Sequence, residues 1–188
     1  MSAMTALDGK DHEEHSYLEI VDALRRIGGA AHADAAQLWR RMIFNVLISN
    51  TDDHLRNHAL LRGEKGWHLS PAFDMNPTPA DISGEMHVLA LNELDHTGSL
   101  EIGLSTAEYF GLKLAEAKQV AGEVAAAVAS WKTAAEAMEV SQREIEMMSS
   151  AFRQDDIEVA LSFRTVAKIG RPQQPRKRGR DKGARIRR

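Results

Sequence analysis

The feature that most constrains the fold is an apolar helical stretch that runs directly into a long polar loop. Apolar side chains recur at helical spacing from Leu38 to Leu47, and this wide stripe predicts a deeply buried helix. The polar loop follows at residues 49–57 and 69–77, where carboxylates, amides, an imidazole and a guanidinium are concentrated. Such a density of polar groups is unusual for a simple connector. The sequence therefore predicts a functional loop that the rest of the chain supports.

Composition narrows the class of protein. The 188 residues are enough for one domain with a sizeable core. Hydrophobic residues make up 43% and charged residues 27%, as in soluble globular proteins. The absence of cysteine excludes disulfides, thiolate chemistry and cysteine-based zinc sites. No signal peptide is visible and no apolar run approaches the ~18 residues that span a bilayer, so we expect a cytoplasmic protein without a membrane partner.

Charge divides the chain into two parts. Residues 171–188 hold nine Lys or Arg and one acid, Asp181, so their net charge is +8 and the remaining residues carry −11 of the total of −3. The basic part also has two prolines and almost no apolar residues, which predicts disorder. We expect a folded domain at residues 1–170 and a basic disordered tail at 171–188. The tail could contact nucleic acid electrostatically or could simply be a solubilising segment.

Helix signals dominate both halves of the chain. Ser16 with Glu19 forms a capping-box pattern before a helix that ends at Gly28-Gly29. Further helices are predicted from Asp34 with Gln37 as its box partner, from Ser105 with Glu108 to Phe110, from about Lys113 to Val140, from Ser141 with Glu144, and from Gln154 to Ile169. The spacing within residues 113–140 suits either a coiled-coil seam or, as we favour, one long helix packed on the core.

Strand signals are short and lie around the polar loop. Residues 59–61 and 67–69 flank Gly63-Glu64-Lys65-Gly66, which predicts a small β-hairpin. Another short strand or turn is predicted near residues 86–91. The expected fold class is thus mainly α, or α+β overall: a helical bundle with a short hairpin at the site.

The spacing within the polar loop indicates a specific chemistry. Protein kinases carry an Asp that orients the substrate hydroxyl and, five residues later, an Asn that binds Mg²⁺; Asp52 and Asn57 have this spacing. Asp74, after the hairpin, would be a second metal ligand, since carboxylate and amide oxygens suit Mg²⁺. His54 and Arg56 could place donors or positive charge near a phosphoryl group. The alternative is that these residues are ordinary turn formers that cap neighbouring backbone.

The two polar segments, Asn50-Thr51-Asp52-Asp53-His54-Leu55-Arg56-Asn57-His58 and Leu69-Ser70-Pro71-Ala72-Phe73-Asp74-Met75-Asn76-Pro77, closely resemble the C-terminal kinase domain of the HipA family. These are serine/threonine kinase toxins of bacterial type II toxin–antitoxin pairs. The resemblance implies a protein-kinase-like C-terminal lobe related to lipid kinases, with ATP and Mg²⁺ as cofactors and a protein substrate. It implies that Asp52 is the catalytic Asp, that Asn57 and Asp74 bind Mg²⁺, and that His54 and Arg56 match the family's loop.

The sequence also departs from a complete kinase of this family. It has no Gly-rich phosphate loop and no strand lysine for the phosphates, so we expect the N-terminal lobe to be absent and Met1 to correspond to the middle of a family member. Asp53 stands where some relatives have Gly, which predicts an extra negative charge beside the phosphate site. A separate N-lobe chain or a HipB-like antitoxin is the expected partner. The alternative function is a catalytically incomplete lobe that acts as a partner-binding or nucleic-acid-associated module.

Overall fold

The computed structural model describes residues 1–79, 81–82 and 86–169, so the predicted tail lies outside the described residues. The chain is mainly helical, as expected. Its α-helices are α1 (Ala3–Ala6), α2 (Tyr17–Ile27), α3 (Ala31–Leu47), α4 (Leu100–Ser105), α5 (Leu114–Val128), α6 (Trp131–Ala137), α7 (Gln142–Met148) and α8 (Gln154–Ile169). Its strands are β1 (His15–Ser16), β2 (Leu60–Arg62), β3 (Trp67–Leu69) and β4 (Leu89–Ala90). None of the helices in this part of the chain is both long and apolar enough to cross a membrane.

Helices α2 and α3 pack against each other and form the centre of the core. The predicted capping box at Ser16 and Glu19 is confirmed at the start of α2. The predicted start of α3 at Asp34 is wrong, because the helix begins at Ala31 without a side-chain cap. Asp34 instead directs a carboxylate oxygen to within 3.4 Å of His68 Nδ1 on the hairpin. Its side chain therefore faces β3 and does not cap the helix.

The predicted hairpin is confirmed. Strands β2 and β3 pair antiparallel, with Leu60 opposite Leu69 and Arg62 opposite Trp67. The turn closes through a hydrogen bond of 2.8 Å from Gly63 N to Gly66 O, and Gly29 N donates to Trp67 O at 2.9 Å. These bonds attach the hairpin to the end of α2, so the polar segment that follows β3 leaves from a fixed point.

The predicted strand near residues 86–91 is also present, as β4, and it pairs in parallel with β1. The first residues of the chain pack beside the same region. Ala3 N donates to His58 O at 2.7 Å, and Leu60 N donates to Met1 O at 2.7 Å. The N-terminal segment thus lies along the exit of the polar loop.

Two helix predictions in the C-terminal half are wrong. Ser105 is the last residue of α4, which Ser99 caps, and residues 107–110 form a 3₁₀ turn. The single helix predicted over residues 113–140 is two helices, because the chain leaves α5 at Ala129 and Ser130. The Ser130 hydroxyl donates to Ala127 O at 2.8 Å, a local bond that competes with helix continuation.

The remaining predictions for this half agree with the structure. Helix α7 has the predicted capping box at Ser141 and Glu144, and α8 covers the predicted residues. Helix α5 packs on α3 and α8 and buries Ala117, Ala121 and Val128, which fits packing on the core as favoured from the sequence. Trp39 is fully buried. Trp131 is half-buried and stacks on Phe152 with ring centroids 3.9 Å apart.

Candidate functional site

The polar loop begins with a sharp turn at the end of α3. Ser49 has a positive φ of 50°, a left-handed conformation that is common directly after helices. Ile48 N still donates to Phe44 O at 3.1 Å, whereas Asn50 N reaches back to Asn45 O at 2.9 Å. The turn therefore returns the chain to the last turns of α3. Asn50 and the residues after it are placed against a rigid helix.

Asp52 and Asn57 lie at the two ends of a compact turn. Residues 55–57 form a 3₁₀ helix, and Asn57 N donates to His54 O at 2.9 Å. Asn57 is buried, and its side-chain Nδ2 lies 3.5 Å from Asp52 O, at the limit of a hydrogen bond. The Asp52 side chain is exposed and makes no hydrogen bond or ion pair within the described residues. The structure thus brings the two residues together and leaves the Asp52 carboxylate free.

His54 and Arg56 have different surroundings. Arg56 is exposed and pairs with Asp11 at 2.6 Å, so the loop is bridged to the segment between α1 and β1. His54 has a buried Nδ1 that makes no hydrogen bond to the part of the chain that is described. Both residues line a cavity of about 160 Å³ that also includes His15 and Lys10. Both basic groups therefore lie on one side of the loop, where the first residues of the chain cover it.

Asp74 lies in the second polar segment, after β3. Its side chain is exposed and its φ is 56°, a conformation that Asp adopts more readily than most residues. Asn76 Nδ2 donates to Asp74 Oδ1 at 2.8 Å. The segment is attached to the core at its start, because Arg41 on α3 donates to Ser70 O and Ser70 N donates to Ala59 O at 2.8 Å.

A contact between the two polar segments runs through Asn50. Its Nδ2 lies 3.1 Å from Asn45 Oδ1 and 3.4 Å from Asp74 O. Asn50 is 3% exposed; its contact with Asn45 is buried, and its contact with Asp74 O is partly buried. The segment that carries Asp52 and Asn57 and the segment that carries Asp74 are thus neighbours in the fold.

Asp53 does not extend toward the exposed side of the loop, and the expectation of an added charge beside the phosphate site stays a prediction. The residue is 3% exposed. One carboxylate oxygen, Oδ2, accepts a hydrogen bond from the Tyr17 hydroxyl and another from Asn45 Nδ2 at 2.8 Å, and it lies 2.9 Å from His58 Nε2. These partners come from α2, α3 and the end of the loop. Asp53 is therefore a buried anchor of the loop.

The electrostatics of this anchor follow from burial and hydrogen bonding. Burial is the largest single effect on Asp53 and by itself opposes ionisation, but His58, Tyr17 and Asn45 together hold the pKa of Asp53 below its usual range. Burial, followed by the nearby Asp53 charge, raises the pKa of Tyr17 well above its usual range. The carboxylate is thus ionised and the phenol neutral, which suits the hydrogen bond between them.

Sequence reasoning missed the residues of this anchor and one further histidine. His87, next to β4, is buried, and burial lowers its pKa to about 4. Its Nδ1 has no hydrogen-bond partner among the described residues. The only available signal was the spacing of Asp53 and His58 within the loop. From the sequence alone, Tyr17 and Asn45 could not be distinguished from ordinary helix residues, because their partners are distant in sequence.

The candidate ligands have the chemistry of a magnesium site that is completed by other oxygens. Asn57 and Asp74 offer amide and carboxylate oxygens, which are hard ligands. Within the described residues, no group of three or more His, Cys, Asp or Glu side chains is arranged to hold a metal ion. Mg²⁺ is commonly held by one or two carboxylates together with phosphate and water oxygens, so this sparse donor set fits that ion better than a metal caged by protein.

Comparison with known proteins identifies the family. The model of the HipA-like C-terminal domain matches residues 1–132. The chain therefore belongs to the HipA-like C-terminal domain family. In Sinorhizobium fredii, the protein named "Putative kinase Y4mE" is 28% identical over 90 residues, and the protein named "Putative kinase Y4dM" is 43% identical over 54 residues. These alignments cover 44% and 28% of this chain, but only 21% and 13% of the two relatives' own lengths.

Proposed function

We propose that this chain is the C-terminal lobe of a HipA-type serine/threonine protein kinase, which transfers a phosphoryl group from Mg²⁺-bound ATP to a protein hydroxyl. The observation that carries the proposal is the contact between the two polar segments within a chain of this family. Asn50 joins the segment of Asp52 and Asn57 to that of Asp74. In a kinase these same segments supply the catalytic base and the metal ligands.

The free carboxylate of Asp52 supports its role as the catalytic residue. A residue that orients or accepts the proton of a substrate hydroxyl needs an oxygen that no other protein group occupies. Asp52 is exposed and has no side-chain partner among the described residues, whereas the adjacent Asp53 is buried and its Oδ2 has three partners. We assign the base to Asp52 and exclude Asp53 from direct contact with substrate.

Asn57 and Asp74 are proposed to hold the metal, which would neutralise charge on the phosphates when it is bound. Asn57 points its amide nitrogen toward Asp52 O, which leaves its amide oxygen for a cation. Asp74 keeps Oδ2 for the same purpose, since Oδ1 accepts from Asn76. His54 and Arg56 are proposed to place positive charge or donors next to the transferred group. Arg56 would then exchange its exposed ion pair with Asp11 for a phosphate contact.

The wider biological role is likewise a proposal. We propose that the kinase belongs to a type II toxin–antitoxin system of the bacterial cytoplasm, with a HipB-like antitoxin or a separate N-lobe chain as its partner. DNA would be contacted only indirectly or through the basic residues 171–188. Positioning supplies most of the rate enhancement of phosphoryl transfer, so turnover is expected to need a phosphate-covering lobe together with the residues described here.

Calorimetric titration of Mg²⁺-ATP tests the proposal. The 188-residue chain is titrated alone and together with a partner polypeptide that carries a Gly-rich loop and a strand lysine. We expect binding that depends on Mg²⁺, and we expect Asp74→Asn to weaken it by at least about tenfold, since a charge-assisted contact is worth about 1.5–3 kcal/mol. Asp52→Ala should abolish transfer while it leaves nucleotide binding within about threefold, because a catalytic base acts on the acceptor.

Asp155→Ala is the matched control, since Asp155 is an exposed aspartate on α8, outside the region that the family model matches. It should bind Mg²⁺-ATP like the wild type. Absence of binding heat, both with and without the partner, would refute the kinase proposal. Partner binding that survives Asp52→Ala and Asp74→Ala but is lost on deletion of residues 171–188 would identify an interaction module instead.

A further inference from the structure

A chain of buried side-chain amides connects the anchor of the polar loop to the segment that carries Asp74. Asn45 Nδ2 lies 2.8 Å from Asp53 Oδ2 and 3.1 Å from the Tyr17 hydroxyl oxygen. On its other side, Asn45 Oδ1 accepts from Asn50 Nδ2 at 3.1 Å. Asn50 Nδ2 then lies 3.4 Å from Asp74 O. The connection therefore runs from Asp53 through two amides to Asp74.

The two amides of this connection lie inside the protein, and the bond to Asp74 O is partly buried. Asn45 is 1% exposed and Asn50 is 3% exposed. Buried polar groups are costly unless they are paired, and each amide here is paired with a specific protein atom. Two asparagines lie close together at buried positions where apolar residues would cost less free energy, which indicates that they position the two polar segments. Their hydrogen bonds offset the cost of burial and define the distance between these segments.

The far end of the connection is a strained residue. Asp74 is one of the few non-glycine residues with a positive φ among those described, and its φ is 56°. Such a conformation persists only where surrounding contacts fix it, and it is often found at functional positions. Asn50 contacts the carbonyl of that residue, and Arg41, one helical turn before Asn45 on α3, donates to Ser70 O in the same segment. Arg41 on α3 thus holds the start of this segment, and Asn50, which contacts Asn45 of the same helix, holds its middle at Asp74.

We infer that Asn45 and Asn50 are positioning residues that set the separation of the Asp52 and Asp74 segments. Asn45 holds the first segment through Asp53, and Asn50 holds the second through the Asp74 carbonyl. Neither residue contacts nucleotide or substrate; they act by fixing where Asp74 presents its carboxylate to the metal. This inference rests on the proposed kinase function for its catalytic meaning, but the physical connection can be measured without nucleotide.

Two measurements on the full chain test the inference with Asn50→Ala. The first is amide hydrogen exchange followed by mass spectrometry, without nucleotide. We expect faster exchange in residues 70–77 and unchanged exchange in α3, because the helix keeps its own hydrogen bonds. The second is ATP affinity measured with Mg²⁺ and again with a chelator. Mg²⁺ should raise the ATP affinity of the wild type, and this increase should be about threefold to tenfold smaller in the variant, as expected for the loss of one hydrogen bond. The ATP affinity without metal should not change.

Thr106→Val is the matched control. It removes a buried hydroxyl that donates to Gly103 O at 2.9 Å, at the junction after α4, and Thr106 makes no hydrogen bond to either polar segment. It should lower stability without changing exchange in residues 70–77 or the Mg²⁺ gain. Asn50→Ser, which keeps one donor, is a milder second variant and should fall between the wild type and Asn50→Ala.

The possible outcomes separate the inference from the function. Exchange in residues 70–77 that is equal in the wild type and in both Asn50 variants would overturn the inference, as would an equal effect of Thr106→Val. If the wild type binds no Mg²⁺-ATP with or without its partner, the kinase proposal fails, and the exchange measurement alone then decides whether the amides hold the two segments together.

Discussion

Lowering the pH from 7 to 5 is expected to cost the fold about 2 kcal/mol through His87 alone. His87 is 4% exposed, and burial lowers its pKa from 6.5 to about 4 in the folded chain. The negative charge of Asp53 favours protonation, while Arg153 and His96 oppose it. The unfolded chain therefore takes up a proton near pH 6.5, whereas the folded chain remains neutral at this site until about pH 4.

The direction and the size of the change in stability follow from this difference in pKa between the folded and the unfolded chain. Between about pH 6.5 and 4 the unfolded state binds more protons, so the free energy of unfolding falls as the pH falls. The contribution is fully present above the unfolded pKa. By pH 5 the loss extends over about 1.5 pH units at about 1.36 kcal/mol per unit, which gives about 2 kcal/mol. The lowered pKa of Asp53 acts in the same direction but only at lower pH, below about 4.

Urea unfolding at pH 7, 6 and 5 measures the effect, with the buried Trp39 among the fluorescent reporters. His87→Leu removes the titrating group and also a ring nitrogen, Nδ1, that has no partner in the described structure. Its unfolding free energy should lose about 2 kcal/mol less than that of the wild type over this range. His12→Asn is the control, because His12 is exposed and Asn tolerates its positive φ of 71°. Equal losses in the wild type and His87→Leu would refute the assignment.

Three further predictions concern stability at neutral pH, each measured by urea unfolding. Tyr17→Phe should destabilise the fold by about 1–3 kcal/mol, because the buried Asp53 carboxylate loses a donor; no change would show that water replaces the hydroxyl. Gly66→Ala should lower the free energy of unfolding by on the order of 2–4 kcal/mol, since the φ of Gly66 is 148° and an added Cβ would lie 2.6 Å from Gly29 N. Gly63→Ala should lower it less, because the close contacts of an added Cβ there are with the movable His68 side chain. Arg40→Ala should change stability by less than about 1 kcal/mol, because its ion pair with Glu123 is largely solvated; a larger loss would contradict the surface assignment.

Local signals in the sequence predicted most of the secondary structure. The capping boxes at Ser16 and Ser141 are correct because each depends on residues only three positions apart. The same pattern failed at Asp34 and at Ser105. At Asp34 a contact with His68 of the hairpin occupies the carboxylate, and at Ser105 the preceding helix already has its cap at Ser99. A capping pattern is a local preference, and distant contacts can override it.

The split between α5 and α6 shows a second limit. The apolar spacing continues from residue 113 to residue 138, so periodicity alone predicts one helix. The chain breaks at Ser130, and Trp131 then stacks on Phe152. If α5 continued, the apolar stripe of that helix would determine the position of Trp131. The ring on which Trp131 stacks lies 21 residues later in the sequence, so no local pattern predicts this contact.

The polar loop shows most clearly what spacing can and cannot reveal. The spacing of Asp52, Asn57 and Asp74 could be recognised in the sequence, because it resembles the family's motif. The different surroundings of two adjacent carboxylates could not. Asp52 and Asp53 are the same residue type, one position apart, yet within the described residues Asp52 is exposed without a side-chain partner and Asp53 is 3% exposed with three.

Physical chemistry requires the two aspartates to differ. A catalytic base must keep an oxygen free for the substrate, whereas a loop that presents such a base must itself be held in place. The hydrogen bonds that fix Asp53 occupy its Oδ2 and hold its pKa below the usual range, and the residue is only 3% exposed, so it is poorly placed to meet a substrate. In the proposed kinase the pair would divide these tasks, and the amides of Asn45 and Asn50 connect Asp53 to the Asp74 segment. Replacement of Asp53 is therefore expected to disturb the loop that carries Asp52, because Asp53 loses its contacts with Tyr17, Asn45 and His58.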